Sequence, residues 1–285
     1  MEILRYVAFS PTPGGGNPAG VVLDARGVDE ATMLATASQV GYSETAFVTA
    51  IDGNILDIRY FSPLVEVPFC GHATIATAVA HAQRHGVGTL HLRTRAGSVT
   101  VSTTHDSNGN VVATLVSVPP KTAAIDPSDI NALLNALRWS PDDLDPCFPV
   151  TAAYAGAWHP IVAAATRARL SELDYDMTAL GDLMRARDWA TVNLVWRESD
   201  TVFHARNPFP PGGVREDPAT GAAAAALGGY LREYGLVTPP HTLTVHQGND
   251  MGRPSVISVT VTTDQASGIV VSGTASELAN AFNRA

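Results

Sequence analysis

Apolar and polar residues alternate along Ile55-Leu56-Asp57-Ile58-Arg59-Tyr60-Phe61, the mark of a half-buried β-strand. Similar reasoning predicts strands over 3–9 and 20–23, joined by a glycine-rich connection from Pro11 to Pro18. Short strands follow near 90–94, 98–103 and 110–118, then near 150–154, 158–165, 190–196 and 201–205. Thr242 to His246, Ser255 to Thr262 and Ile269 to Val271 are expected to be strands too. Helical spacing covers Asp29 to Val40, where Asp29 can cap the start and Gly41 stops the helix. Other helices are predicted from Ser128 to about Arg138, from Ser171 to about Ala186 and from Ser276 to Asn283. Two segments break the amphipathic pattern. Ala73 to Ala80 and Ala222 to Tyr234 are small or apolar nearly all round, so each predicts a buried helix.

Those two helices follow a repeated motif. Glu66-Val67-Pro68-Phe69-Cys70-Gly71-His72-Ala73 returns as Glu216-Asp217-Pro218-Ala219-Thr220-Gly221-Ala222-Ala223, 150 residues later. Each copy has a matching lead-in, Arg59 to Pro63 and Arg206 to Pro210. A single repeat of this length is too long a period for a solenoid and indicates a chain of two related halves. The expected architecture is α+β, with two pseudo-symmetric domains, each a mixed β-sheet wrapped around its buried central helix. Pro119-Pro120 and Asp126-Pro127 mark the linker. The boundaries expected are 1–120, 121–265, and a C-terminal strand and helix over 266–285 that pack back on the first half.

Composition narrows the function. With 285 residues, 45% hydrophobic and 16% charged, the chain can bury two cores. A formal net charge of −9 offers no basic footprint for nucleic acid or anionic lipid. Cys70 and Cys147 are the only cysteines, too few for a disulfide framework. No apolar run has the length of a membrane span. The expectation is a reduced, cytoplasmic protein without nucleic-acid or membrane partners.

The repeated turns carry the candidate chemistry. A helix N-terminus has unpaired N–H groups and about half a positive charge, and glycine there lets an anion approach the backbone. If the Gly71 and Gly221 turns meet in a cleft between the halves, they bind a small carboxylate; the alternative is that both are only tight helix entries. His72 at such a start is disfavoured as a cation and suits a neutral proton shuttle. Asp217 just before the second helix is either a tuned carboxylate or a cap, and Glu44 in Ser43-Glu44-Thr45-Ala46-Phe47 is either a base or a surface charge. His81 and His85 stand four apart without the glutamate of a zinc-protease motif and are read as structural.

Gly16-Asn17-Pro18-Ala19, Ser43-Glu44-Thr45-Ala46-Phe47, Phe69-Cys70-Gly71-His72-Ala73-Thr74, Glu216-Asp217-Pro218-Ala219-Thr220-Gly221 and Gln247-Gly248 to Ser255 resemble the PhzF family. This is the phenazine-biosynthesis isomerase family within the diaminopimelate epimerase fold. The motifs span residues 16 to 255 in the family's order. The resemblance implies a site between two pseudo-symmetric domains, frequently a homodimer, no metal and no organic cofactor. It also implies a proton-shift isomerisation of a small unsaturated or cyclic amino-acid-like carboxylic acid, in specialised-metabolite biosynthesis. Glu44 then moves the proton, and His72 and Asp217 assist or position the substrate. Asn17, Ser43, Gly71, Ala73, Thr220, Gly221 and Ala222 are expected to line the substrate.

Two residues depart from the family pattern. Ala222 stands where serine is usual and Pro208 where phenylalanine is usual, which points to an acid other than the usual phenazine-pathway one. The sister reaction, racemisation by two facing thiols, has Cys70 for one thiol but Thr220 for the other. A threonine hydroxyl is far too weak an acid to replace a thiol of pKa about 8.5. Cys70 is accordingly read as a small buried residue. The remaining alternatives are an epimerase of the same fold and a non-catalytic protein that binds a small acid.

Overall fold

The structure is a computed structural model and describes residues 1–278. The chain divides into two compact units. One comprises Met1–Val116 with the residues from Ser272 onward, the other Ser117–Val271.

The first unit contains β1 (Leu4–Ala8), β2 (Asn17–Val22), α1 (Glu30–Val40), β3 (Glu44–Asp52), β4 (Ile55–Phe61), β5 (Glu66–Val67), α2 (Gly71–His85), β6 (Thr89–Thr94), β7 (Gly97–His105) and β8 (Val111–Val116). β1 pairs antiparallel with β2, β2 parallel with β3, β3 antiparallel with β4 and β4 parallel with β6. β6, β7 and β8 continue antiparallel, and the strand Val270–Glu277 pairs with both β8 and β1. The ring of eight strands is therefore closed, and closure removes every sheet edge.

Inside the barrel lies α2. It touches β1, β2, β3, β7 and β8, and its residues from His72 to Ala80 are all buried. Small side chains are what such an interior can hold. The two buried threonines satisfy themselves, Thr74 and Thr77 each donating to the carbonyl four residues back. α1 packs outside the ring, with Met33 and Ala37 against Val22, Phe47 and Phe61. Its start is capped by Asp29, which accepts from the Thr32 N–H, and its end by left-handed Gly41, as the sequence predicts.

The second unit contains β9 (Lys121–Ala124), α3 (Pro127–Leu137), β10 (Thr151–Tyr154), β11 (Trp158–Ala163), α4 (Arg167–Ser171), α5 (Met177–Arg187), β12 (Asn193–Ser199), β13 (Val202–Phe209), β14 (Val214–Asp217), α6 (Gly221–Glu233), β15 (His241–Gln247) and β16 (Ser255–Val261). Its strands run β9-β10-β11-β12-β13-β15-β16. From β10 the pairings are antiparallel, parallel, antiparallel, parallel, antiparallel, the sequence found from β1 to β7. α6 is buried from Ala223 to Leu231 against β9, β10, β11 and β16. Gly228 and Gly229 permit its close approach, since an added Cβ would lie 2.8 Å from Val259 and 2.4 Å from Pro120. α3, α4 and α5 build a separate core of Leu133, Leu137, Leu170, Leu180, Met184 and Trp189.

Three local expectations change. The helix predicted from Ser171 starts instead at Met177: Ser171 ends α4, and Asp176 caps the later start by accepting from the Thr178 and Ala179 N–H groups. Lys121–Ala124, between the prolines expected to mark a linker, is strand β9 paired with β10. The C-terminal helix expected from Ser276 is strand at its first two positions, where Ser276 and Glu277 pair with Val7 and Tyr6. The rest of that expected helix, beyond Leu278, lies outside the described residues.

Candidate active site

In the first unit the start of α2 meets the first residue of β3. Glu44 lies opposite Ala19 in the parallel β2–β3 pairing, and its side chain is 17% exposed. Its Oε2 lies 3.4 Å from His72 Nε2 and 3.5 Å from Cys70 Sγ. Cys70 Sγ is in turn 3.4 Å from His72 Nδ1 and 3.8 Å from Nε2. The buried Asn17 amide nitrogen reaches His72 Nδ1 at 3.4 Å, and the exposed Ser43 hydroxyl reaches Nε2 at 3.4 Å. With the Asn17 amide so turned, Nδ1 accepts and Nε2 carries the proton toward Glu44. Asn17, Ser43, Glu44 and His72, expected together, are together. Glu44 is no ordinary surface charge, and Cys70, buried as expected, also faces both titratable partners.

Neighbouring bonds fix this cluster. Tyr60, fully buried, donates to Thr74 Oγ1 at 2.6 Å, and Thr74 passes its proton to the Cys70 carbonyl at 2.7 Å. Burial raises the Tyr60 phenol far above its usual range, so it stays a donor. Gly16 precedes Asn17 with φ of +68°, and a Cβ there would sit 2.4 Å from the Ala8 carbonyl. Arg59 forks onto Glu66 at 2.8 and 2.5 Å, and Arg95 adds a contact at 2.7 Å. The arginine of the lead-in and the glutamate of the motif are thus one ion pair, locking β4 to β5 ahead of the helix.

The second unit builds its own copy of that lock. Arg206 forks onto Glu216 at 2.9 and 2.6 Å, with side chains only 9% and 5% exposed. Asp217 follows at the end of β14, opposite Asn207. Thr220 donates its hydroxyl to Asp217 Oδ2 at 2.5 Å. Gln247 holds the turn from both ends, accepting from the Thr220 N–H at 3.0 Å and donating to the Asp217 carbonyl at 2.8 Å. Ser255 donates to the Pro218 carbonyl. Gly248 has φ of +76° and must be glycine, because a Cβ would lie 2.2 Å from the Arg253 carbonyl and 2.7 Å from that of Pro218. Gln247 and Gly248 belong to the motifs of the sequence, but nothing in their spacing showed which turn they hold.

Neither α2 nor α6 has a side-chain hydrogen bond from its cap residue, Cys70 or Thr220. Gly71, His72 and Ala73, like Gly221, Ala222 and Ala223, fall within the first turn, where N–H groups have no helix carbonyl to bond. Ala73 is fully buried, backbone included, while Gly221 and Ala222 are partly exposed. Among the described residues the one cluster of metal-ligating types is Glu44, Cys70 and His72. The His81 and His85 rings stand 4.6 Å apart at the far end of α2, and burial lowers the pKa of His81. Among the described residues no helix is long and apolar enough to cross a membrane.

Known proteins match this chain over nearly its whole length. The model of the phenazine biosynthesis-like protein family matches residues 6–281. An uncharacterized isomerase of Escherichia coli K12 is 32% identical across 96% of this chain and 95% of its own length. Trans-2,3-dihydro-3-hydroxyanthranilate isomerase of Pseudomonas chlororaphis is 33% identical across 93% of each chain. The solved structure of a Bacillus anthracis phenazine biosynthesis protein of the PhzF family superposes with a TM-score of 0.88 at 26% identity, covering 98% of each chain. The chain belongs to the phenazine biosynthesis-like, or PhzF, family and is an isomerase.

Proposed function

We propose that the protein shifts a proton and a double bond within a small unsaturated or cyclic amino-acid-like acid, using side-chain acid–base chemistry alone, in specialised-metabolite biosynthesis. The observation that carries this reading is the approach of Glu44 Oε2 to His72 Nε2 at 3.4 Å, at a largely desolvated helix start. That separation is long for a hydrogen bond, as such pairs often are before substrate draws them in. Glu44 as carboxylate takes a proton from an sp3 carbon. The C–H electrons become a new double bond, the old double bond moves its electrons to its far carbon, and protonated Glu44 returns the proton there. Atoms and charge balance without a redox step. His72, with a proton on Nε2, holds the Glu44 carboxylate in place and steadies the negative charge that passes to the substrate as Glu44 takes the proton. Asp217 enters through the Glu-Asp-Pro motif of the family and would hold the amino or hydroxyl end. The open N–H groups at Gly71 and Gly221 would bind the carboxylate, as helix starts do.

Proton NMR in D2O tests this, with trans-2,3-dihydro-3-hydroxyanthranilate first and then a panel of unsaturated and cyclic amino acids. Wild type should give product with a moved double bond and deuterium at the newly protonated carbon. Glu44→Gln should lose at least about 10²-fold in rate, the usual contribution of a positioned acid or base, while still binding. Full turnover by Glu44→Gln would overturn the mechanism. Exchange at Cα without a moved double bond would replace it with epimerisation.

A further inference from the structure

The Glu44, Cys70 and His72 cluster offers one oxygen, one sulfur and one nitrogen, a set that proton transfer does not require. We propose that these three side chains form a binding site for a thiophilic divalent cation such as Zn2+, and that its occupancy silences the proton-transfer centre. The silencing rests on the isomerase reading; the binding does not.

Geometry carries the site. A tetrahedral zinc with bonds of about 2.3 Å to sulfur, 2.05 Å to nitrogen and 2.1 Å to oxygen sets its ligand atoms about 3.6 Å (S–N), 3.6 Å (S–O) and 3.4 Å (N–O) apart. The structure has 3.8 Å from Cys70 Sγ to His72 Nε2, 3.5 Å from Sγ to Glu44 Oε2 and 3.4 Å from Nε2 to Oε2. Each edge agrees to within about 0.2 Å with the tetrahedral separations. Little rearrangement is needed, and the ligands stand on rigid elements: Glu44 starts β3, and Cys70 and His72 flank the start of α2.

Chemistry supports the same assignment. Thiolate with imidazole favours zinc or cadmium over magnesium or calcium, which take oxygen ligands. Nitrogen Nδ1, opposite the ligating Nε2, must then carry a proton. The Asn17 side chain 3.4 Å away can turn its amide oxygen to accept it, the kind of outer contact that orients a ligating histidine. One effect opposes binding. The positive end of α2, about half a charge, repels a cation. A thiolate and a carboxylate bring two full negative charges at ligand distance, so attraction prevails. A fourth position remains for water or a substrate carboxylate. Glu44 cannot take a carbon-bound proton while its oxygen binds metal, and this is why occupancy stops catalysis.

The test uses the full chain with Cys147→Ser, which removes the exposed second thiol, and Cd2+ as probe. One equivalent of Cd2+ should raise the ultraviolet thiolate-to-cadmium band, and Cys70→Ser should abolish it with the circular dichroism of the fold unchanged. Glu44→Gln and His72→Gln should each weaken Zn2+ binding by calorimetry at least tenfold, which excludes a bare thiol. Absence of the band, or its survival at equal affinity in both of those variants, overturns the site. In the D2O assay Zn2+ at one equivalent should stop turnover and a chelator should restore it. Binding with undiminished turnover overturns the silencing alone. A chain with no turnover before metal is added tells against the isomerase reading and leaves the binding result standing.

Discussion

At the scale of single residues, the cluster turns on which nitrogen of His72 holds its proton. Asn17 reaches Nδ1 with an amide N–H, which leaves the proton on Nε2 facing Glu44. Asn17→Asp replaces that donor with an acceptor of nearly the same shape. The proton should move to Nδ1, and a bare Nε2 would then face the Glu44 carboxylate. We expect kcat to fall at least about tenfold with KM little changed, because the lost interaction matters as charge develops. Nitrogen-15 NMR of the imidazole should show the tautomer change; an unchanged tautomer with unchanged kcat would remove Asn17 from its positioning role. The sequence made Glu44, His72, Asn17 and Ser43 legible because each sits in a motif. It did not show that the Cys70 thiol meets Glu44, 26 positions away. That contact depends on the β2–β3 register and on where α2 enters the barrel, neither of which a local pattern encodes.

At the scale of elements, the repeated motif works as a lock between two strands ahead of a buried helix. The sequence displayed both arginines and both glutamates of the two copies. It could not show the pairing, since Arg59 to Glu66 and Arg206 to Glu216 differ in spacing and meet only once the strands fold back. The two locks differ in burial. Arg206 and Glu216 are nearly sealed, and Arg206 also donates to the Ser171 carbonyl, whereas the Arg59 side chain is 23% exposed and Glu66 has Arg95 in reserve. Removing one partner of a sealed pair strands the other charge, at a cost of about 3–5 kcal/mol. Glu216→Gln should therefore cost several times what Glu66→Gln does in urea unfolding. Replacing both partners, as Arg206→Met with Glu216→Leu, should recover much of the loss, because no charge is left without its partner. Equal losses for the two glutamate variants would contradict this ranking. Elsewhere tertiary pairing overrode local signals: Ser276 and Glu277 read as a helix start, yet pairing with β1 keeps them in strand. Gly273 fits that role, as a Cβ there would meet the Phe9 ring at 2.4 Å.

For the molecule as a whole, the repeat raised the expectation of two related halves, and the chain divides into two compact units in which one order of strand pairings recurs. What no motif announced is a buried histidine that links stability to pH. His159 on β11 is 1% exposed, and its Nδ1 lies 2.8 Å from Thr191 Oγ1. Thr191 gives its own hydroxyl proton to Asn207 Oδ1 at 2.7 Å, so Nδ1 must be the donor and Nε2 the bare, unpartnered nitrogen. Protonating Nε2 would place a charge with no partner in the interior, and burial accordingly lowers the pKa from 6.5 to about 4. The sign follows from proton binding. Between pH 6.5 and 4 the unfolded chain holds more protons than the folded one, so stability is complete above pH 6.5 and declines as pH falls through that window. A lowering of this size corresponds to about 3 kcal/mol. The carboxylates that partners hold below their usual range, such as Asp24 at about 2 beside Arg26, act mainly at lower pH. His159→Asn keeps a donor toward Thr191 and cannot take up a proton. Urea unfolding from pH 7 to pH 4 should show His159→Asn losing clearly less stability than wild type across the window, even if the variant starts lower, the remaining slope coming from His81 and His246, which burial also holds below 6.5. Parallel curves for the two proteins would mean that another group carries the acid sensitivity.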